Sequence, residues 1–410
     1  MKHAEFETIK ECRSCSSAKL VGILDLGPQP LANALLGSAI EQARRYPLRT
    51  AFCLDCGLFQ LKDTVRKELL FDSYVWVTGT SLAARDYAKV FFDRTVKRTG
   101  LKVGDLVVEI ASNDGTILKS FVDAGHSVLG IEPAKNIAKI AEEAGVRTLC
   151  AYWNRETAAD VVAQHGRARV VMARNVIPHV SELHDVILGI SDVLADDGVG
   201  IIEFHDGGII ARELHYDSIY HEHLCYFTTR SMTAFLGRFG LYPFHMDVSP
   251  ISGGSNVIYF SKTQCPVNGS YTEAFAAEDK AGTNTVAGWK DFALRSQEHK
   301  TRTIEILREF KGKTVVGFGA SARSSTYLNF CGLSTKEIAA IIDNNGLKQE
   351  RWTAGSNIPI ISRDKGLALK PDLVFIIAWN FKDEIMRECR GSGYAGPYLV
   401  PFPKTPFLVE

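Results

Sequence analysis

The sequence predicts an α/β protein with a small N-terminal cysteine module followed by two Rossmann-like, doubly wound units. Three observations carry this expectation. Two C-x-x-C pairs lie within the first 56 residues, a strand–turn–helix–strand pattern begins near residue 106, and the same pattern recurs near residue 315. The chain has 410 residues, 46% apolar and 23% charged, enough to bury several cores without disulfides. The expected divisions are 1–75, 76–285 and 286–410. Lys+Arg and Asp+Glu balance at 47 each, which argues against bulk attraction to nucleic acid. No apolar run is long enough to cross a bilayer, and the opening MKHAEFETIKECRSC has no apolar signal core. A cytoplasmic protein with no membrane or nucleic-acid partner is therefore expected, acting as a monomer because one chain supplies both α/β units.

The first element is the cysteine module. Cys12, Cys15, Cys53 and Cys56 form two knuckles, and the other five of the nine cysteines are scattered. An odd count without an export signal is no disulfide framework. A thioredoxin-like site needs one C-x-x-C on a βαβ unit. Two knuckles instead set four thiolates around one Zn²⁺, and Gly57 allows a tight turn beside the second. Four sulfurs leave no open position, so this zinc is expected to be structural.

The middle unit opens with a helix over 86–98 and a buried strand over 106–110. A small, polar turn follows over 111–115, then a helix over 116–124 and a second strand ending at Glu132. An acidic residue there can accept hydrogen bonds from both hydroxyls of a ribose. The fingerprint G-x-G-x-x-G is absent, and only Gly115 remains in the turn. A pyrophosphate needs bare backbone amides at a helix start. S-adenosylmethionine carries no phosphate, and its sulfonium and ammonium suit an acidic strand end with an Asn-Asp turn. The pattern thus favours a methyltransferase domain over a dehydrogenase. Further strands are expected over 170–173 and 199–204, the first leading into a loop with Asn175 and His179. Between them a helix over 183–194 closes in a turn at 196–198.

Tyr220, His221, Glu222 and His223 then stand in four consecutive positions. H-E-H lacks the four-residue histidine spacing of a helical zinc site. A histidine can serve as general base near neutral pH, a glutamate can orient its tautomer, and a tyrosine can donate to a developing oxyanion. Dense ionisable groups mark sites. His221 taken by itself reads as a hydrogen-bonded core residue.

The last unit follows a polar stretch, 263–288, that reads as a connecting segment, and a helix over 289–310. Its first turn holds Gly317, Gly319 and Arg323, which reads as an anion cradle at a helix N-terminus. Asp343 ends the next strand, and Trp379 and Asn380 end another. Arg323, Lys348 and Asn380 are the candidates for holding a substrate's diphosphate, with Lys348 the weakest because surface lysines are usually only solvated.

Several motifs occur together and in order: both knuckles with LANALL (31–36), EIASNDGTIL, ARNVIPHV, YHEHLCYF, SGGSN, GFGASAR, IIDNNGLKQ and IIAWN. In this the chain resembles the three-domain S-adenosylmethionine-dependent sugar C-methyltransferases of the deoxysugar C-3′ type. The resemblance implies a small zinc-binding domain, a central Rossmann-like S-adenosylmethionine methyltransferase domain, and a second, C-terminal Rossmann-like domain. It implies transfer of methyl to C-3′ of a nucleotide-linked 4-keto-deoxysugar. A base removes the C-3′ proton, and the resulting enolate attacks the sulfonium methyl. By the same resemblance His223 is that base, Glu222 supports it, Tyr220 sits against the sugar, and Tyr74 and His179 line the site. Tyr220, His179 or an ordered water would stabilise the enolate oxygen. Glu109, Asn113, Gly115 and Glu132 would contact the cofactor, with Ala111 and Asn175 in the same loops. The chain departs from the family at Ala111, where glycine is usual, and at Trp76, where tyrosine is expected. It departs again at Ser252 and Val257, where the pattern H-G-G-S-x-R has histidine and arginine. The alternatives are a hydroxyl or a non-nucleotide carbon acid as acceptor, and a zinc-ribbon protein that modifies nucleic acid.

Overall fold

The computed structural model describes residues 4–71 and 77–410. Tyr74 and Trp76 lie outside the described residues. The N-terminal module is a four-stranded antiparallel sheet. Leu20–Pro30, Arg45–Cys53 and Phe59–Leu61 run in succession, and the fourth strand, Cys225–Tyr226, comes from the middle unit. The Tyr220–His223 cluster is therefore tied by its own backbone to the zinc module.

The middle unit is a seven-stranded sheet. Five strands are parallel, in the order Thr148–Leu149, Ser127–Ile131, Leu106–Ile110, Ala168–Arg174 and Leu194–His205. Two antiparallel strands, Ser255–Ser261 and Tyr242–Ser249, extend the far side. Leu106–Ile110 comes first in the chain but lies inside the sheet. The chain winds to one side and then to the other, which opens a crevice at its carboxyl end. The strand Leu106–Ile110 is buried over its last four residues, as a continuous apolar run on a doubly covered sheet should be.

The C-terminal unit repeats this design with six strands. Ile360–Ile361, Ala340–Ile342, Val315–Phe318, Leu373–Ile376 and Tyr398–Val400 are parallel, and Phe407–Val409 is antiparallel at the edge.

Two expectations are corrected. The stretch read as a linker forms the helix Gly269–Ala281 and the start of the helix Val286–Glu309. Its polarity is that of a surface helix whose buried face carries only Tyr271 and Glu278, the latter accepting the backbone N–H of Thr229 and Arg230. The turn at 196–198 lies within the strand Leu194–His205, where pairing with the neighbouring strand shifts register between Leu194 and Val199.

The units share one core. Phe59 of the zinc module stacks on Trp289 of the long helix at 3.8 Å between ring centroids. Asn357 donates to the carbonyls of Ala39 and Glu41 at 2.9 Å each, and Leu36 pairs with Trp352. No helix among the described residues is long and apolar enough to cross a membrane.

Candidate active site

The four cysteines converge. Cys12 Sγ lies 3.5 Å from Cys56 Sγ, Cys15 Sγ lies 3.5 Å from Cys53 Sγ, and all four fall within 4.8 Å of one another. Ligands about 2.3 Å from a central zinc require sulfur separations of this order, so the set fits the metal. Gln60 donates from Nε2 to Cys12 Sγ at 3.1 Å and accepts the Arg13 backbone N–H on Oε1 at 3.1 Å. Its backbone pairs with Cys225. One residue thus joins the thiolate cluster to the strand beside His223.

The crevice at the carboxyl ends of the central strands gathers the predicted cofactor residues. Ala111, Asn113 and Asn175 adopt left-handed φ of 53°, 51° and 51°, and Gly115 has φ 75°. A Cβ on Gly115 would lie 2.9 Å from Val146, so this turn needs glycine both for its conformation and for its packing. Glu132 accepts the N–H of Asn113 at 3.0 Å and of Ala134 at 2.9 Å, leaving further lone pairs for a ligand. Thr78 N–H donates to Asn113 Oδ1 and Gly79 N–H to Asp114 Oδ2, both at 2.8 Å, so the 78–80 turn straps the loop.

Beneath it, Arg174 donates to Glu203 at 2.8 Å and lies 3.8 Å from Glu109. Its guanidinium sits 4.7 Å above the Phe91 ring. Burial pushes the Glu109 carboxyl up to about 8, against the opposing pull of Arg174. Glu109 Oε2 is buried without a hydrogen-bond partner among the described residues. Glu203 Oε1 is likewise without one, so two acidic side chains share one arginine and each keeps an unsatisfied oxygen, an arrangement that suits a cationic ligand. The residues fit S-adenosylmethionine.

The second cluster adjoins this crevice. His223 Nδ1 lies 2.9 Å from the Ser218 carbonyl oxygen, and its Nε2 lies 2.7 Å from the Tyr220 hydroxyl. A carbonyl only accepts, so Nδ1 carries the proton and Nε2 accepts from Tyr220. Burial, reinforced by His179, His205 and Arg323, holds the His223 pKa well below the ordinary histidine value, and the ring is neutral at neutral pH. His179 stands edge-on to it at 4.6 Å between centroids and bonds to the Glu222 backbone carbonyl.

From its place beside the ring, Glu222 is expected to orient His223. That is corrected: the Ser218 carbonyl fills this place, while the Glu222 carboxyl turns to the zinc module and accepts from Asn33 Nδ2 at 2.7 Å. Burial pushes Glu222 up to about 7, with Asn33 pulling the other way. His221 bonds to the Pro47 carbonyl at 3.2 Å in the core, as expected of it alone.

The C-terminal cradle is corrected more strongly. Its amides are not bare. Gly319 N–H donates to the Ile342 carbonyl, Ala320 N–H to Asp343, and Ser321 and Ser324 cap each other's N–H. Arg323 is engaged in a bidentate pair with Asp217 at 2.9 and 2.8 Å. Lys348 is bonded to Asp343 and to the Ala320 carbonyl. Asn380 is exposed in the short 3-10 turn Trp379–Phe381 that follows the strand Leu373–Ile376.

Asn33, Asp217, Ser218 and His205 were not singled out from the sequence. His205 ends the strand Leu194–His205, is buried, and has an Nε2 without a hydrogen-bond partner among the described residues. Its place at the carboxyl end of a sheet strand was the available signal. Asn33 lies 189 residues from its partner and Asp217 lies 106 from its own, separations that no local pattern reports.

Comparison with known proteins agrees with this layout. Residues 12–71 match a zinc-binding domain family, 84–245 a methyltransferase domain family, and 250–403 the C-methyltransferase C-terminal domain family. The chain is 32% identical over 405 residues to the C-methyltransferase NovU of Streptomyces niveus, covering 97% of this chain and 96% of that one. The chain belongs to the C-methyltransferase family. It is an S-adenosylmethionine-dependent C-methyltransferase with an N-terminal zinc-binding domain. Among solved structures, the magnesium protoporphyrin IX methyltransferase of Synechocystis PCC 6803 with bound SAM matches at 14% identity and a TM-score of 0.34, covering 47% of this C-methyltransferase and 86% of that chain. An S-adenosylmethionine-dependent methyltransferase from Clostridium acetobutylicum matches at 11% identity and a TM-score of 0.35, covering 45% and 93%.

Proposed function

We propose that this C-methyltransferase methylates C-3′ of a nucleotide-linked 4-keto-deoxysugar through an enolate formed by His223. The observation that carries the reading is the state of that ring. It is neutral, its proton is fixed on Nδ1, and its Nε2 lone pair faces a partner that can leave. A saturated sugar carbon is not nucleophilic, but the carbon beside a ketone becomes so once its proton is removed.

When the sugar enters, Nε2 exchanges the Tyr220 hydroxyl for the acidic C–H and takes its proton. The freed Tyr220 hydroxyl, within hydrogen-bond reach of the same atom, turns to donate to the oxygen where charge develops. His179 packs edge-on and restricts the ring. Glu222, whose carboxyl burial pushes up to about 7, faces the zinc module under the hold of Asn33. S-adenosylmethionine supplies an electrophilic sulfonium methyl. Glu109, Asn113, Gly115, Glu132 and Asn175, with the Ala111 backbone, would hold it at the crevice. Tyr74 is assigned to the sugar side by family resemblance. Asn380 is the remaining C-terminal candidate for the nucleotide, since Arg323 and Lys348 are already paired.

The test is a panel of dTDP- and GDP-linked 4-keto-6-deoxy sugars with methyl-labelled S-adenosylmethionine, read by mass spectrometry and NMR. Label on C-3′ of one member is the expected result. Both C-3′ and C-5′ flank the ketone, so label on C-5′ would keep the enolate chemistry and move the position. Cofactor binding without transfer to any member would discard the nucleotide sugar.

A further inference from the structure

The turn Tyr216–Ser218 carries the carbonyl that fixes the His223 tautomer, yet it is held from the C-terminal unit. Arg323 donates from Nε to Asp217 Oδ2 at 2.9 Å and from Nη2 to Oδ1 at 2.8 Å. Trp379 Nε1–H donates to the same carboxylate at 2.9 Å. Thr326 donates to the Ile219 carbonyl at 3.0 Å. Tyr216 is held as well. Its hydroxyl lies 2.9 Å from His299 Nδ1, and the other nitrogen of that ring lies 2.7 Å from the Pro401 carbonyl. A carbonyl only accepts, so His299 donates to Pro401 and accepts from Tyr216.

We propose that Arg323 and Asp217, with Trp379, form a clamp that positions the base: the C-terminal unit fixes the Ser218 carbonyl, and through it the Nδ1–H tautomer of His223. The inference rests on the reading of His223 as the base. A phosphate anchor needs spare positive charge, and here the guanidinium is matched fork to fork by a carboxylate 1% exposed. Its planar face lies 4.8 Å from the Trp379 ring, which fixes the fork's orientation. A buried ion pair is a poor stabiliser compared with apolar packing. What it supplies is geometry, delivered to a turn whose next carbonyl bonds the reacting ring.

The test compares Asp217→Asn, Trp379→Phe and Arg323→Lys with the parent and with His223→Asn. In ¹⁵N-histidine-labelled protein, the resonances lost in His223→Asn identify His223, and this spectrum needs no acceptor. The parent should show a neutral ring protonated on Nδ1, and Asp217→Asn a mixture of tautomers. With dTDP-4-keto-6-deoxyglucose as acceptor, kcat should fall about tenfold or more in Asp217→Asn, the scale of lost supporting contacts, while KM stays within about threefold. Arg323→Lys keeps one charged donor and should fall between. Trp379→Phe keeps the core filled and removes a single donor, so it should show the same signature more weakly even where Asp217→Asn fails to fold.

A parent-like tautomer and kcat in the variants, with His223→Asn inactive, would overturn the clamp alone. A raised KM at unchanged kcat would overturn it in favour of a substrate anchor. Activity retained in His223→Asn would remove the base reading and the clamp together.

Discussion

Ala111 shows how a single residue can be legible in the sequence while its consequence is not. Its position in the turn after the first central strand was read directly, but its φ of 53° is a property of the folded loop. A left-handed alanine costs about 1 kcal/mol relative to glycine. Ala111→Gly should therefore raise stability by about that amount in chemical denaturation, and a lowered midpoint would show that the methyl group packs usefully. Glu222 gives a pH-dependent case. Its folded pKa, pushed up to about 7, lies above the ordinary 4.5. Ionising it is therefore harder in the folded than in the unfolded chain. The neutral form's advantage is complete below the ordinary value and is lost as pH rises through about 7. Glu222→Gln should melt with the parent at pH 4 and above it at pH 8.5; equal melting at both would contradict the burial argument. Asn33→Ala removes the donor that favours the carboxylate and should move the Glu222 titration to higher pH. The chemistry-bearing side chains here were legible because their types and spacing are unusual. Their partners were not. One is a backbone carbonyl at Ser218, and the other is an asparagine in a distant module.

At the scale of elements, strands were read most faithfully. Leu106–Ile110 matches the expectation because an apolar run between turn signals has few other solutions. The helix Gly269–Ala281 was missed because most of its surface is polar and little of it is buried. The two-residue strand Cys225–Tyr226 is too short for any pattern, yet it joins the zinc sheet to the Tyr220–His223 loop. Leu61 N–H bonds to the Leu224 carbonyl at 2.9 Å, and Leu224 N–H to the Pro178 carbonyl at 2.7 Å. The zinc-module sheet is thus one backbone hydrogen bond from the residue after His223 and two from the residue before His179. Chelating the metal should abolish methyl transfer, while S-adenosylmethionine affinity by calorimetry changes less than about threefold, and zinc restores activity on return. Full activity in a metal-free protein would show that the sheet holds without its thiolate anchor.

The molecule as a whole departs from the three-bead picture suggested by the sequence. Composition and the repeated βαβ pattern reveal three units, but not that the first shares a sheet with the second, nor that the third grips the turn whose carbonyl bonds His223. Such contacts form between residues hundreds of positions apart, as with Asn357 and Ala39, 318 apart. Because Trp289 stacks on Phe59 and a single core runs through the units, calorimetry should show one main unfolding transition. Separate transitions, or a stable proteolytic fragment ending near residue 285, would contradict that unity. The central claim is that these units together build a base for carbon acidity. Its most direct measurement is hydrogen exchange at the carbon beside the ketone: dTDP-4-keto-6-deoxyglucose incubated in D₂O with the protein and S-adenosylhomocysteine, which cannot donate a methyl. The account predicts deuterium at C-3′ with the parent and none above background with His223→Asn. Deuterium at equal rates in both would contradict it.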